Sequence, residues 1–238
     1  TLDLTSGYWQ VPLEQSSRPY TAFLHRSTLY QFTRIPFGLK TAGSGFIRAM
    51  SLALGNEFDN FLTYYIDDLL IASQDEREHL HHLNLVFERL RKFNFTIKLS
   101  KAKLFEQEVP FLGFILSCKG IRPNDEKLSV IRDLSPPKNQ TELQQFLGIC
   151  NYYRQFSVTH SKFIDPFRTS LKKSISWNWT EMHDRAFSAL ENNFVKCVHS
   201  SHYDSSRPFR LQTDGSDVGI SGVLYQVDEN DNHNIISL

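Results

Sequence analysis

The chain is short of cysteine, of net charge and of long apolar runs, and each shortage removes a class of function. Its three cysteines, Cys118, Cys150 and Cys197, lie far apart and lack the spacing of a zinc site or a disulfide framework. They read as free thiols in a reducing compartment. Lys plus Arg number 26 and Asp plus Glu number 26, so the surface as a whole is not built to coat a polyanion. No apolar stretch approaches the roughly 20 residues of a membrane span, and no secretory signal opens the chain. Internal repeats and low-complexity tracts are missing too. What is present is 238 residues, 40% hydrophobic and 13% aromatic, enough for one large or two smaller cored domains.

Charge of one sign is missing locally. Arg89, Arg91, Lys92, Lys98, Lys101 and Lys103 share a stretch with no acid between them, whereas Lys and Arg are absent after Arg210 and Asp214, Asp217, Asp228, Glu229 and Asp231 follow. The asymmetry predicts regions with different tasks. The pattern along the chain is mixed. Strands are expected at residues 2–4, 21–24 and 30–33, a helix near 41–55, a strand–turn–strand over 61–73 and a helix over 76–92 with Leu80, Leu83, Phe87 and Leu90 on one face. Asn94 is its plausible stop, and strands resume at 95–97 and 111–116. Helices are then expected over 125–134 and 142–156, separated by Pro136-Pro137, and from Thr180, a good N-cap. Strands return from about 206, at Phe209-Leu211 and Ile220-Tyr225. The strand-like opening at Thr1-Leu2-Asp3, without Met, and the strand-like close at Ile235-Leu238 predict a piece of a longer protein.

Glycine is missing where a tight turn would use it. Asp67 and Asp68 sit inside the apolar run from Phe61 to Ala72. Two such charges about 4 Å apart repel by roughly 4 kcal/mol at the effective dielectric of a protein surface, and apolar flanks make ionisation worse. Two readings fit: a hairpin turn, although Asp-Asp lacks the Gly that two-residue loops favour, or a site where divalent cations offset the repulsion. Asp3 is similarly double. It is a turn residue before Ser6-Gly7, or a third carboxylate joining the pair around two Mg²⁺ ions, which favour oxygen ligands and serve phosphoryl transfer.

Four segments in order choose between these readings. Leu2-Asp3-Leu4-Thr5-Ser6-Gly7-Tyr8-Trp9-Gln10, Phe32-Thr33-Arg34-Ile35-Pro36-Phe37-Gly38-Leu39-Lys40, Tyr65-Ile66-Asp67-Asp68 and Phe111-Leu112-Gly113 resemble motifs A, B, C and E of reverse transcriptases, in the version carried by gypsy-class long-terminal-repeat retrotransposons. Asn151-Tyr152-Tyr153-Arg154-Gln155-Phe156 and Leu211-Gln212-Thr213-Asp214-Gly215-Ser216 extend the resemblance over nearly the whole chain. It implies an α+β fold. Residues 1–117 would be a polymerase palm, an antiparallel sheet with helices on one face, whose fingers lie upstream. Residues 118–175 would be a helical thumb, 176–205 a tether, and 206–238 the first three strands of a truncated ribonuclease H-like α/β domain.

The resemblance also implies roles. Asp3, Asp67 and Asp68 would be the catalytic metal ligands for two Mg²⁺, with Mn²⁺ as a substitute. Ser6, Gly7 and Tyr8 would meet the triphosphate of a dNTP through backbone N–H groups, and the Tyr8 ring would exclude a 2′-hydroxyl. Phe37 and Gly38 would touch the nascent base pair, Gly38 by allowing close backbone approach, and Lys40 the template or nucleotide. Lys101 or Lys103 would be the motif D lysine beside the leaving pyrophosphate. Tyr65, Phe111, Leu112, Gly113, Tyr152, Tyr153 and Arg154 would hold an RNA or DNA template and a DNA or RNA primer, with one of the two adjacent tyrosines in the core. Asp214 would be the first metal ligand of ribonuclease H, the remaining acids falling beyond residue 238. The family pattern implies cytoplasmic particles and no membrane. One departure stands out: the usual Asn-Ala-Pro is replaced by Thr41-Ala42-Gly43-Ser44-Gly45, which loosens a helix start. His79, His81 and His82 read as solvated surface histidines rather than a zinc site, since no further ligand is near in sequence. A nucleic-acid-binding chain without catalysis, and a chain in which only the ribonuclease H portion matters, are the rival readings.

Overall fold

The computed structural model describes residues 1–157, 163–168, 170–171, 176–195, 200–216 and 219–237, without the side chains of 130, 132, 193–195, 214–216 and 219–221. The chain is α+β and divides into two compact units, Thr1–Glu106 and Gln107–Leu238. The hairpin from residue 108, which the sequence groups with residues 1–117, therefore belongs to the second unit.

The first unit is organised by a three-stranded antiparallel sheet. Its strands are β1 (Leu2–Asp3), β4 (Leu62–Tyr65) and β5 (Asp68–Ile71), in the order β1-β5-β4. Leu2 faces Leu69 and Asp3 faces Asp68. Because strand side chains alternate, the leucines enter the core while the two aspartates share the opposite face. Helix α1 (Ala42–Leu54) buries Phe46, Met50, Ala53 and Leu54 at helical spacing, and α2 (Glu76–Lys92) buries Leu83, Val86 and Leu90; these join Leu2, Leu4, Leu62, Leu69 and Ile71 in one core. The expected α2 bounds hold because both ends are specified. Asp75 accepts a hydrogen bond from the Glu78 N–H at 2.8 Å, and Arg89, Arg91 and Lys92 complement the negative C-terminal end. Asn94, at φ 59, closes it: the Asn94 N–H donates to the Arg91 carbonyl and the Phe95 N–H to that of Leu90, a Schellman ending. One position of the expected face is corrected. Leu80 is exposed, and Val86 takes its place in the core.

Other local expectations also change. Residues 15–21 form a 3₁₀ helix, and the strands nearby are β2 (Phe23–His25) and β3 (Thr28–Tyr30), joined through Arg26-Ser27, both at positive φ. Residues 95–97 make no strand; Ile97 forms a single bridge with Leu4.

In the second unit the stretch expected as one strand over 111–116 is broken. β6 (Glu108–Phe111) and β7 (Phe114–Ser117) form a hairpin with Leu112 and Gly113 at its tip, both at positive φ as a type I′ turn demands, and β8 (Gly120–Pro123) completes the meander. Helix α3 covers Asp125–Arg132. Helix α4 (Gln140–Tyr152) starts two residues before the expected Glu142, because Asn139 caps it through the Glu142 N–H at 2.9 Å. It gives way to a 3₁₀ turn at Arg154–Phe156. Its Leu143, Phe146, Leu147 and Cys150 pack with Phe156, Phe167 and the Ala186, Phe187 and Leu190 face of α5 (Glu181–Val195). A second antiparallel meander, β9 (Arg210–Ser216), β10 (Gly219–Val227) and β11 (His233–Ser237), ends the unit. Buried Gln226, on the central strand β10, holds the turn at residues 204–207 by accepting from the Asp204 N–H and donating to the Asp204 and Arg207 carbonyls, all at 2.8 Å.

Phe46 is fully buried beneath both the sheet and the Ser6-Gly7 turn. Its truncation, Phe46→Ala, is expected to remove about 3–5 kcal/mol of stability, read as a lower urea midpoint by far-UV circular dichroism.

Candidate active site

The three carboxylates of the first unit arise from one hairpin and one short strand. Tyr65 pairs with Asp68, so the loop between β4 and β5 contains only Ile66 and Asp67. Positive φ falls on Ile66 alone (φ 55), the pattern of a type II′ turn, where Gly is the usual first residue. A β-branched residue there is strained by about 1–3 kcal/mol. The turn and the acid pair are thus not alternatives. Asp67 is the second turn residue and Asp68 the first of β5. The Leu4 N–H donates to the Asp67 carbonyl at 2.9 Å, which fixes β1 against the turn.

The Ser6-Gly7 segment lies against the same place. Ser6 is left-handed at φ 49, and a Cβ on Gly7 would stand 2.9 Å from Phe46 Cζ and 3.2 Å from Asp67 Cβ. Only glycine fits that approach. Gln10, which sequence reasoning missed, locks the turn: its amide donates to the Thr5 carbonyl at 2.6 Å and the Thr96 carbonyl at 3.0 Å, and accepts from the Thr96 N–H at 2.6 Å. Tyr8 stands edge-on to Phe37 (5.3 Å) and Phe46 (5.4 Å). Its hydroxyl lies 3.8 Å from where a Gly43 Cβ would be, so the substituted helix start borders this ring. α1 nonetheless begins at Ala42, with no side-chain cap from Thr41. Phe37, Lys40 and Tyr65 are exposed. Gly38 sits at φ 88, which favours glycine, and a Cβ there would meet no protein atom within 4 Å.

Electrostatics separates the two candidate lysines. Lys101 Nζ donates to Asp3 Oδ2 at 2.8 Å, whereas Lys103 is tied through its backbone, its N–H donating to the Thr1 carbonyl at 3.0 Å. The Asp3 hydrogen bond and charge hold the Lys101 ammonium above its ordinary value. Burial, then the charges of Asp67 and Asp3, push the Asp68 carboxyl above its usual range, against a smaller opposing effect of Lys101. The donor set is all hard oxygen and suits Mg²⁺ or Mn²⁺. As they stand, however, no three acid, His or Cys side chains among the described residues form a ready metal cage.

Two further sets resolve differently. His79 and His82 are half-buried rather than solvated: both Nδ1 atoms bond Ser73 Oγ, at 3.1 and 2.8 Å, and the His82 ring stacks on Phe61 at 3.7 Å. In the second unit, Phe111, Leu112 and Gly113 meet the end of α4. Tyr152 Oη donates to the Leu112 carbonyl and Tyr153 Oη to that of Gly113 at 3.4 Å. The Tyr152 ring stacks on Phe114 at 5.2 Å. Tyr153 is core at 4% exposure, while Tyr152 and Arg154 are exposed. The Asp214 backbone lies in β9 opposite Ser221, and its side chain is outside the described set, as is the whole of Asp217.

The raised Asp68 carboxyl carries a signed consequence. Just above the ordinary value of 3.8 the folded chain holds more protons than the unfolded one, so stability falls as pH rises through that window. Asp68→Asn is expected to flatten this fall and to raise the melting temperature in EDTA at neutral pH by on the order of 1–2 °C, measured by calorimetry across pH 4–7.

Comparison with known proteins draws the first boundary later, beyond the tip of the β6–β7 hairpin. Residues 1–116 match the family model "Reverse transcriptase (RNA-dependent DNA polymerase)" and residues 179–238 the model "RNase H-like domain found in reverse transcriptase". The chain is 32% identical over 232 residues to the Transposon Tf2-3 polyprotein of Schizosaccharomyces pombe, covering 98% of this chain and 17% of that one. It is 34% identical over 233 residues to the Retrovirus-related Pol polyprotein from transposon 412 of Drosophila melanogaster, covering 98% of this chain and 18% of that protein. The chain thus spans less than a fifth of these relatives. Among solved structures, the foamy viral protease-reverse transcriptase in complex with double-stranded DNA superposes with a TM-score of 0.86 at 25% identity, over 99% of this chain and 41% of that one. The same viral protein in complex with an RNA/DNA hybrid gives 0.81 at 24% identity, over 100% and 32%, a likeness of fold. No helix among the described residues is long and apolar enough to cross a membrane. The chain therefore belongs to the reverse transcriptases, the RNA-directed DNA polymerase family, and carries with it the RNase H-like domain found in the Pol polyproteins of long-terminal-repeat retrotransposons.

Proposed function

We propose that the first unit is the palm of an RNA-directed DNA polymerase that extends a primer on a template by adding dNTPs. The observation that carries this reading is the β1–β5 register, Asp3 opposite Asp68 with Asp67 in the adjoining turn. Asp3, Asp67 and Asp68 would hold two Mg²⁺ ions. Such ions, when bound, stabilise the attacking and leaving oxygens of an in-line displacement. The reaction is attack of the primer 3′-hydroxyl on the dNTP α-phosphate, with pyrophosphate leaving. Catalysis by the chain itself is then mainly orientation and preorganised charge.

The remaining residues bind and orient. Backbone N–H groups of Ser6, Gly7 and Tyr8 face the triphosphate, as left-handed turns suit anions. The Tyr8 ring, braced edge-on by Phe37 and Phe46, lies under the sugar and excludes a 2′-hydroxyl. Phe37, Gly38 and Lys40 line the nascent pair, and Tyr65 borders the primer end. Residues 108–123 and α4 serve as primer grip and thumb. The exposed Tyr152 and Arg154 suit sugar and phosphate contact without base readout. The RNase H-like region opens earlier than residue 206, since the family match begins at residue 179 and takes in α5, and within it Asp214 would be a metal ligand. The foamy viral relative's complexes with duplex DNA and an RNA/DNA hybrid support these partners.

Two measurements test the reading. Asp67→Asn is expected to lower Mg²⁺-dependent primer extension by at least about 10³-fold while leaving the circular dichroism spectrum and duplex binding intact; extension at the parent rate would remove Asp67 from the metal site. Tyr8→Ala is expected to raise ribonucleotide incorporation relative to dNTP by roughly 10- to 200-fold, the scale of a steric pocket change, read in single-nucleotide addition assays. A non-catalytic binding chain is the second reading. Its support is that the hairpin–helix surface of the second unit is held by its own hydrogen bonds, and its mark would be salt-sensitive duplex binding with no extension.

A further inference from the structure

The most unusual partner of the acid cluster is a lysine side chain that the backbone itself delivers. Lys101 ends a 3₁₀ turn, Leu99–Lys101, laid alongside β1. The Lys98 N–H donates to the Asp3 carbonyl at 2.8 Å and the Lys103 N–H to the Thr1 carbonyl at 3.0 Å, so Lys101 is bracketed by two backbone anchors on the strand that bears Asp3. Its Nζ lies 2.8 Å from Asp3 Oδ2. Among the described residues it is the one cation in an ion pair with any of Asp3, Asp67 and Asp68. Asp3 is 23% exposed and Lys101 56% exposed, so the ammonium has an open route away from the carboxylate without disturbing the core.

We propose that the Lys101 ammonium stands in for a cation at Asp3: it neutralises that carboxylate while the chain is metal-free, and a divalent ion must compete with it to bind. The inference rests on the reading of Asp3 as a metal ligand. Three carboxylates gathered by strand register repel one another, and the register has to survive before any ion arrives. A Mg²⁺ sits about 2.0–2.1 Å from its ligand oxygens. An ammonium held on the same carboxylate would repel the arriving ion and share its one negative charge, so each occupant disfavours the other. The exchange sets two properties at once. It keeps β1 paired with β5 without metal, and it weakens first-ion affinity by the strength of the ion pair it breaks. Lys103, whose backbone rather than its side chain makes the contact with β1, supplies the control for a merely diffuse positive field.

The test compares the parent chain with Lys101→Met, Lys101→Arg and Lys103→Met, using Mn²⁺ titration calorimetry and thermal melting in EDTA and in saturating Mn²⁺. Lys101→Met is expected to melt lower in EDTA, to lose that deficit in saturating Mn²⁺, and to bind Mn²⁺ about two- to fivefold more tightly, the scale of a partly exposed ion pair. Lys101→Arg keeps the charge and is expected to behave as the parent, and Lys103→Met to change neither quantity. An equal melting deficit with and without Mn²⁺ would make Lys101 a plain structural contact and overturn the proposal, as would equal tightening in Lys103→Met. Mn²⁺ binding by the parent with no change in Lys101→Met would overturn the stand-in alone. Absence of Mn²⁺ binding in every form would overturn both the stand-in and the metal-ligand reading.

Discussion

The antiparallel pairing of β1 with β5 is the constraint on which the first unit depends. The pairing is two residues long, yet it fixes both the core and the acids. Residues opposite each other in an antiparallel pair share a face. Burying Leu2 against Leu69 therefore forces Asp3 beside Asp68. A slip of one residue would carry the carboxylates into the core and the leucines into water. The hydrophobic effect, acting on leucines, thus gathers charges that would otherwise repel. Lys101 and the Leu4 N–H to Asp67 carbonyl bond hold the arrangement at its exposed edge.

The turn that carries Asp67 stores strain, and the neighbouring segments over-determine it. Ile66 sits where glycine is ordinarily required. The flanking strand pairs, the Gly7 approach to Asp67 and the core beneath Phe46 leave the chain no relaxed alternative. Strain of this kind gathers where geometry serves a site. It is consistent with the proposed role of the turn in holding two carboxylates at one height.

Much of this was legible in the residues. α2 is bounded by Asp75 and Asn94, both strong local signals, and the four motif segments stand out by their residues alone, without the structure that places them on loops, turns and strand ends. What could not be read has physical reasons. Residues 15–33 carry apolar side chains that face solvent in β2 and β3, so no period relates them to a core. Leu80 and Val86 exchange roles because a three- and four-residue spacing admits more than one helix face. The Asp-Asp pair invited a choice between turn and site, because composition does not reveal that a two-residue loop would be Ile66-Asp67. Contacts across a hundred residues, such as Lys101 with Asp3, or forty, such as Tyr152 with Leu112, leave no trace in local pattern.

The last of these contacts has a mechanical consequence. The tip of the β6–β7 hairpin presents its Leu112 and Gly113 carbonyls to two adjacent tyrosines at the end of α4, and Phe114 is clasped between the rings from the strand side. Hairpin tip and helix end are consequently tied to each other through side chains, so that a shift of either one strains the same two hydrogen bonds and the same ring contacts. Under the proposed role of Tyr152 and Arg154, a load on the exposed helix end would reach the hairpin tip through these contacts, which couples the two elements that the proposal assigns to the primer.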